Sequence, residues 1–110
     1  MKGYLFLLCA IIFETIGTSA LKESEQFTKL MPGLVAVIAF VLSFYLVSYA
    51  FKTIPVGIAY AIWSAIGIVI IVIISAVAFK QIPDWPAILG IIFIIIGVVI
   101  INLFSKMPVY

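Results

Sequence analysis

The amino-acid sequence predicts an all-α membrane protein built from four transmembrane helices, on three observations. Of the 110 residues, 67% are apolar, well above the roughly 45–50% of a soluble domain. Only six Lys and four acids (Glu14, Glu23, Glu25 and Asp84) carry charge, too few to cover the large surface-to-volume ratio of a short soluble chain. All of those charges except Glu14 fall outside four apolar stretches, residues 3–21, 33–51, 57–79 and 87–104, each within the ~17–25 residues a spanning helix needs. A soluble globular enzyme is thereby excluded. The absence of His and the single Cys9 remove the usual His/Cys metal sites and any intramolecular disulfide. A net charge of +2, dispersed along the chain, does not suit a nucleic-acid partner.

The first stretch, 3–21, is apolar except for Glu14 and ends in the polar run Lys22-Glu23-Ser24-Glu25-Gln26. Its basic start, apolar middle and small residues Gly17-Thr18-Ser19-Ala20 resemble a secretory signal peptide. An acid in the apolar region works against that function, so a retained span is expected. The second stretch, 33–51, follows Pro32 and ends at Lys52. The third, 57–79, follows Pro55 and ends at Lys80. The fourth, 87–104, follows Trp85-Pro86 and precedes Lys106. Proline suits the first turn of a helix, where its missing N–H is harmless, and Trp85 and Tyr4 lie where amphipathic rings favour the membrane interface. Lipid permits only helices or closed barrels; barrel strands alternate polar and apolar residues, and the unbroken apolar run 91–96 does not. Short loops make neighbouring helices antiparallel, in a single four-helix domain covering residues 1–110.

Orientation is undecided by charge. Lys2, Lys52 and Lys106 fall on one side of the membrane and Lys22, Lys29 and Lys80 on the other. This tie gives the positive-inside rule no bias. Either other signals select one orientation, or the chain inserts both ways and pairs with its inverted copy.

Glu14 lies roughly 3 Å from the middle of the first span, at ~1.5 Å per residue. An ionisable group at that depth costs at least ~2.5–3.5 kcal/mol, and no Lys or Arg lies within another span to pair with it. One reading makes it a protonated Glu that hydrogen-bonds a Ser, Thr or Tyr and glues helices together. The functional reading draws on its surroundings. Tyr4, Leu7, Ala10, Ile11, Gly17, Thr18 and Leu21 share its face at helical spacing. Phe40, Ser43, Phe44 and Val47 share a face of the second span, and Gly57, Tyr60, Trp63, Ser64 and Gly67 one of the third. Such stripes are more often packing than sites, but an acid walled by aromatic rings suits a hydrophobic organic cation. Carboxylates held away from water titrate closer to neutrality than solvated ones. A proton and a cation would then compete for one carboxylate, and alternating exposure would convert competition into exchange. Alternating access is commonly built on inverted repeats. Two inverted copies of this chain supply eight helices, two carboxylates and that symmetry.

The fourth span is apolar from Pro86 to Asn102. Gly90 and Gly97 lie seven residues apart on one face and would let a second helix approach closely. This is the candidate dimer interface, unless the glycines merely face lipid.

The first-helix run Ala10-Ile11-Ile12-Phe13-Glu14-Thr15-Ile16-Gly17-Thr18, followed by Lys22, resembles the first-helix signature of the small multidrug resistance transporters. The third-helix run Ile54-Pro55-Val56-Gly57-Ile58-Ala59-Tyr60-Ala61-Ile62-Trp63-Ser64 resembles that family's third-helix signature, and Gly90, Gly97 and Asn102 match the fourth. The resemblance covers essentially the whole chain. It implies a multi-pass protein of the bacterial inner membrane, an antiparallel dual-topology dimer, and exchange of protons for cations. By the same resemblance Glu14 is the shared proton and substrate site, and Tyr4, Thr18, Ser43, Phe44, Tyr60 and Trp63 line it. Gly17-Thr18 resembles the quaternary-ammonium and multidrug branch; the guanidinium exporters usually carry Trp at the Gly17 position. Two residues depart from the pattern. Phe40 stands where several multidrug members have Tyr, and Ala65 stands where a Gly-x-Gly usually begins.

The expected activity is therefore proton-coupled export of lipophilic, aromatic and quaternary ammonium cations. The alternatives are a guanidinium exporter of the same family and a non-transporting membrane subunit that uses Glu14 for assembly. A membrane enzyme is not expected, because no second acid, His or activated nucleophile accompanies Glu14. No cofactor or metal is expected either. The expected partners are small cations, protons, the lipid membrane and a second copy of the chain, or a close relative in its place.

Overall fold

The structure, a computed structural model that describes residues 2–106, forms the four expected helices: α1 (Lys2–Glu23), α2 (Leu30–Ala50), α3 (Val56–Ala78) and α4 (Trp85–Phe104). All four are long and apolar enough to cross a membrane. They divide into two compact units, α1 with α2 and α3 with α4.

The helices begin slightly before the expected spans, for local reasons. Pro32 falls inside the first turn of α2 rather than ahead of it, where its N–H is not needed. Pro55 stands at the N-cap of α3. Asp84, exposed in the connection before α4, caps that helix: its carboxylate accepts a 3.1 Å hydrogen bond from the Ala87 N–H. An acid at a helix N-cap satisfies a free backbone donor and meets the positive end of the helix dipole.

In the first unit α1 and α2 run antiparallel in close contact. The seam is built largely from small residues, with Gly3, Ala10 and Gly17 buried on α1 and Gly33, Ala36, Ala39, Ser43 and Ala50 on α2. Lipid is as apolar as a Leu side chain, so hydrophobicity cannot drive this pairing. Close backbone approach and interhelical hydrogen bonds do. Ser43 Oγ donates to the Ala10 carbonyl at 2.7 Å, fully buried, and Phe6 stacks on Tyr49 at 5.2 Å between ring centroids. The hydroxyls of Thr15 and Ser19 donate to carbonyls of α1 itself, which satisfies them without a partner helix.

The connection 24–29 is held by Ser24. Its hydroxyl donates to the Leu21 carbonyl at 2.7 Å and accepts from the Phe27 N–H at 3.1 Å. Glu25, Gln26 and Phe27 all take positive φ, at 48°, 60° and 66°. That conformation is unfavourable for L residues and leaves the Phe27 ring against α2. A Cβ at Gly33 would lie 3.1 Å from that ring, so Gly33 is fitted by close approach.

In the second unit α3 runs without interruption through Ala65 and Gly67. At its end Lys80 adopts a left-handed conformation, and the N–H groups of Phe79 and Gln81 both reach the Ser75 carbonyl. No residue of α4 is buried.

Candidate functional site

Glu14 occupies the thirteenth position of the 22-residue α1, ~18 Å along a helix ~33 Å long. It therefore sits close to the depth of the bilayer centre. Its side chain is half-buried. Thr18, one turn further on, donates from Oγ1 to Glu14 Oε1 at 2.9 Å, the (i, i+4) geometry that brings side chains together on one helix face. This donor stabilises the carboxylate without neutralising it. No ion pair to Glu14 is present among the described residues; the ion pair Lys29–Glu25, at 3.7 Å, lies exposed in the first connection.

Two contacts with α2 flank the acid. The Ser43 hydroxyl reaches Ala10, one turn before Glu14. Phe40 lies over Gly17, one turn after it: a Cβ built at Gly17 would stand 3.0, 3.1 and 3.2 Å from three atoms of the ring. Of the expected lining residues, Thr18 touches the acid directly. Ser43 reaches the backbone of the acid's own helix. Tyr4 and Phe44 present their rings outward from the first unit, 48% and 65% exposed. In the second unit Tyr60 is 67% exposed and Trp63 half-buried. Ser64, next to them, donates to the Tyr60 carbonyl at 3.0 Å. Along α4, a Cβ at Gly90 or Gly97 would meet nothing within 4 Å, so neither glycine is required by packing inside the chain.

A concavity of about 960 Å³ opens beside the first connection, lined by Leu21, Lys22, Glu25, Gln26, Phe27 and Thr28. It is open and lies at the end of α1 rather than at the acid, so the chemistry favours Glu14 as the site. Sequence reasoning did not identify two features. The aromatic group Phe6, Tyr45 and Tyr49, with the two Tyr hydroxyls 3.1 Å apart, was signalled only by the four-residue spacing of the tyrosines. The seating of Phe40 on Gly17 depends on how two helices meet and left no signal along the chain.

The family model described as Small Multidrug Resistance protein matches residues 2–96. Quaternary ammonium compound-resistance protein QacE of Escherichia coli is 50% identical over 106 residues, 96% of each chain. Quaternary ammonium compound-resistance protein QacF of Klebsiella aerogenes is 44% identical over the full length of both. Multidrug transporter EmrE of Escherichia coli strain K12 is 47% identical over 106 residues, again 96% of each chain.

Proposed function

The chain belongs to the small multidrug resistance family, and from that premise we propose that it exports lipophilic and quaternary ammonium cations across the inner membrane in exchange for protons. Relatives of 44–50% identity are named for quaternary ammonium compound resistance and for multidrug transport, which supports multidrug efflux as the activity. The observation that carries the coupling is Glu14, a half-buried carboxylate near the middle of α1 that accepts from Thr18 and has no ion-pair partner among the described residues. Its isolation keeps the competition simple. α2, the helix packed against α1, contains no Asp, Glu or Lys, and its titratable groups are Tyr45 and Tyr49. On α1 the other charges are Lys2, Lys22 and Glu23, at the two ends.

A proton and a monovalent cation each neutralise the carboxylate, so the two exclude one another. Exchange follows if the site opens alternately to the two sides. An antiparallel pair of chains supplies the symmetry for this. The tied Lys count supports the pairing, as do Gly90 and Gly97 on the unburied α4. In that pair Tyr4, Phe44, Tyr60 and Trp63 supply aromatic faces to the cation. The ring of Phe40 occupies the space a Trp at position 17 would need, which favours the multidrug reading over a guanidinium exporter.

The test is reconstitution of the purified chain alone into lipid vesicles with an imposed pH gradient. Tetraphenylphosphonium should accumulate in the compartment with the lower pH as protons leave it, and guanidinium should not. Guanidinium uptake without tetraphenylphosphonium uptake would select the other branch. No coupled flux of either cation would leave Glu14 as an assembly residue.

A further inference from the structure

Glu14 is flanked by two interhelical contacts of different kinds, and their positions are related. By the helical hydrogen-bond rule the Ala10 carbonyl is the acceptor for the Glu14 N–H. The same carbonyl receives the Ser43 hydroxyl at 2.7 Å, with Ser43 fully buried. Three residues beyond Glu14, Gly17 is buried and the Phe40 ring lies so close that a Cβ there would stand 3.0–3.2 Å from three ring atoms. One contact thus grips the helix a turn below the carboxylate and the other a turn above. Both come from the same stretch of α2, one helical turn long.

We infer that Ser43 and Phe40 are positioning residues: together they fix the rotation and height of the α1 turn that carries Glu14 and Thr18, with Gly17 as the fitted seat of the ring. This rests on Glu14 as the shared binding site. It gives Ser43 a role other than contact with substrate, because its hydroxyl proton is already donated to Ala10. It also explains why Phe serves at position 40, where ring carbons, and not a hydroxyl, make the contact. A methyl group at position 17 would stand 3.0 Å from the ring, against ~3.5–4.0 Å for relaxed carbon contact. Ring and helix would have to separate by a few tenths of an ångström, and the carboxylate would move with its turn.

The experiment is a double-substitution cycle on the full chain, with tetraphenylphosphonium and tetrapropylammonium as aromatic and aliphatic probes. Gly17→Ala should weaken both by roughly tenfold or more, since small displacements of a binding group have large effects. Adding Phe40→Leu, which withdraws ring volume, should restore affinity to within about threefold of the parent. Ser43→Ala should weaken both cations by the same factor, and Ser43→Thr, which keeps the hydroxyl, should recover it. Effects of Gly17→Ala and Phe40→Leu that simply multiply would overturn the proposal. So would a Ser43→Ala loss confined to one probe, the mark of direct contact. If Gly17→Ala does not accumulate in the membrane, recovery of both accumulation and binding in the double variant supports the seat, and continued failure overturns it. The parent separates the two levels of inference. A parent whose cation binding ignores pH removes the shared-site reading, whereas a pH-sensitive parent with a non-rescuing cycle removes only the positioning roles.

Discussion

Lowering the pH two units below the point at which Glu14 is half protonated should weaken binding of a monovalent cation about a hundredfold. The magnitude follows from the site. Each chain offers one carboxylate in the apolar part of α1, and α2 adds none. Once protonation dominates, each tenfold rise in proton activity divides the ionised fraction by ten. That is one decade of dissociation constant and ~1.36 kcal/mol per pH unit, or ~2.7 kcal/mol over two. Titration of tetraphenylphosphonium into the detergent-solubilised protein at a series of pH values reads the slope directly, and unbuffered samples should acidify as the cation binds. Glu14→Gln retains the shape and the Thr18 contact but carries no charge, so affinity should be low and flat across pH. Glu14→Asp withdraws the carboxylate by roughly one carbon–carbon bond, ~1.5 Å. That stretches the 2.9 Å bond from Thr18 beyond hydrogen-bonding range, so the variant should still bind with an altered pH profile. A parent with pH-independent affinity, or a Glu14→Gln variant that keeps pH-dependent exchange, would refute the competition and leave the acid as interhelical glue.

The Lys tie predicts that a single cysteine placed in the first connection, in a background lacking Cys9, will be labelled by impermeant reagents from both sides of the membrane; labelling from one side only refutes dual insertion. Adding two or three Lys to one side should lock the orientation. Trp63→Ala should weaken aromatic cations by roughly 0.5–2 kcal/mol in a binding titration, the range of cation–π contributions, with membrane insertion unchanged. An unaltered affinity assigns Trp63 to packing. Gly90→Leu and Gly97→Leu should abolish dimers in crosslinking while the chain still inserts, because a Cβ at either position meets nothing within 4 Å inside the chain. Dimers that persist would place the interface elsewhere.

Four helices, their approximate limits and the acid within the first were legible in the sequence because lipid imposes a one-dimensional code. A span must be about twenty apolar residues long and satisfy its own backbone, and an ionisable residue inside it is costly enough to stand out. Thr18 was legible for a similar reason, since the helix places residue i+4 beside residue i whatever surrounds it. The cap at Asp84 was not legible because a capping and a non-capping loop acid have the same composition; they differ in whether the backbone donor of Ala87 points at the carboxylate. Ser43 and Phe40 mark the larger limit. Helical periodicity placed both on one face, but a face can meet a ligand, lipid or another helix. Only the crossing of α1 and α2 turned the Ser43 hydroxyl onto Ala10 and laid the Phe40 ring on Gly17. Periodicity is a property of one helix, whereas register between helices depends on the shapes of both, and small residues at the seam leave the deciding distances to the packed structure.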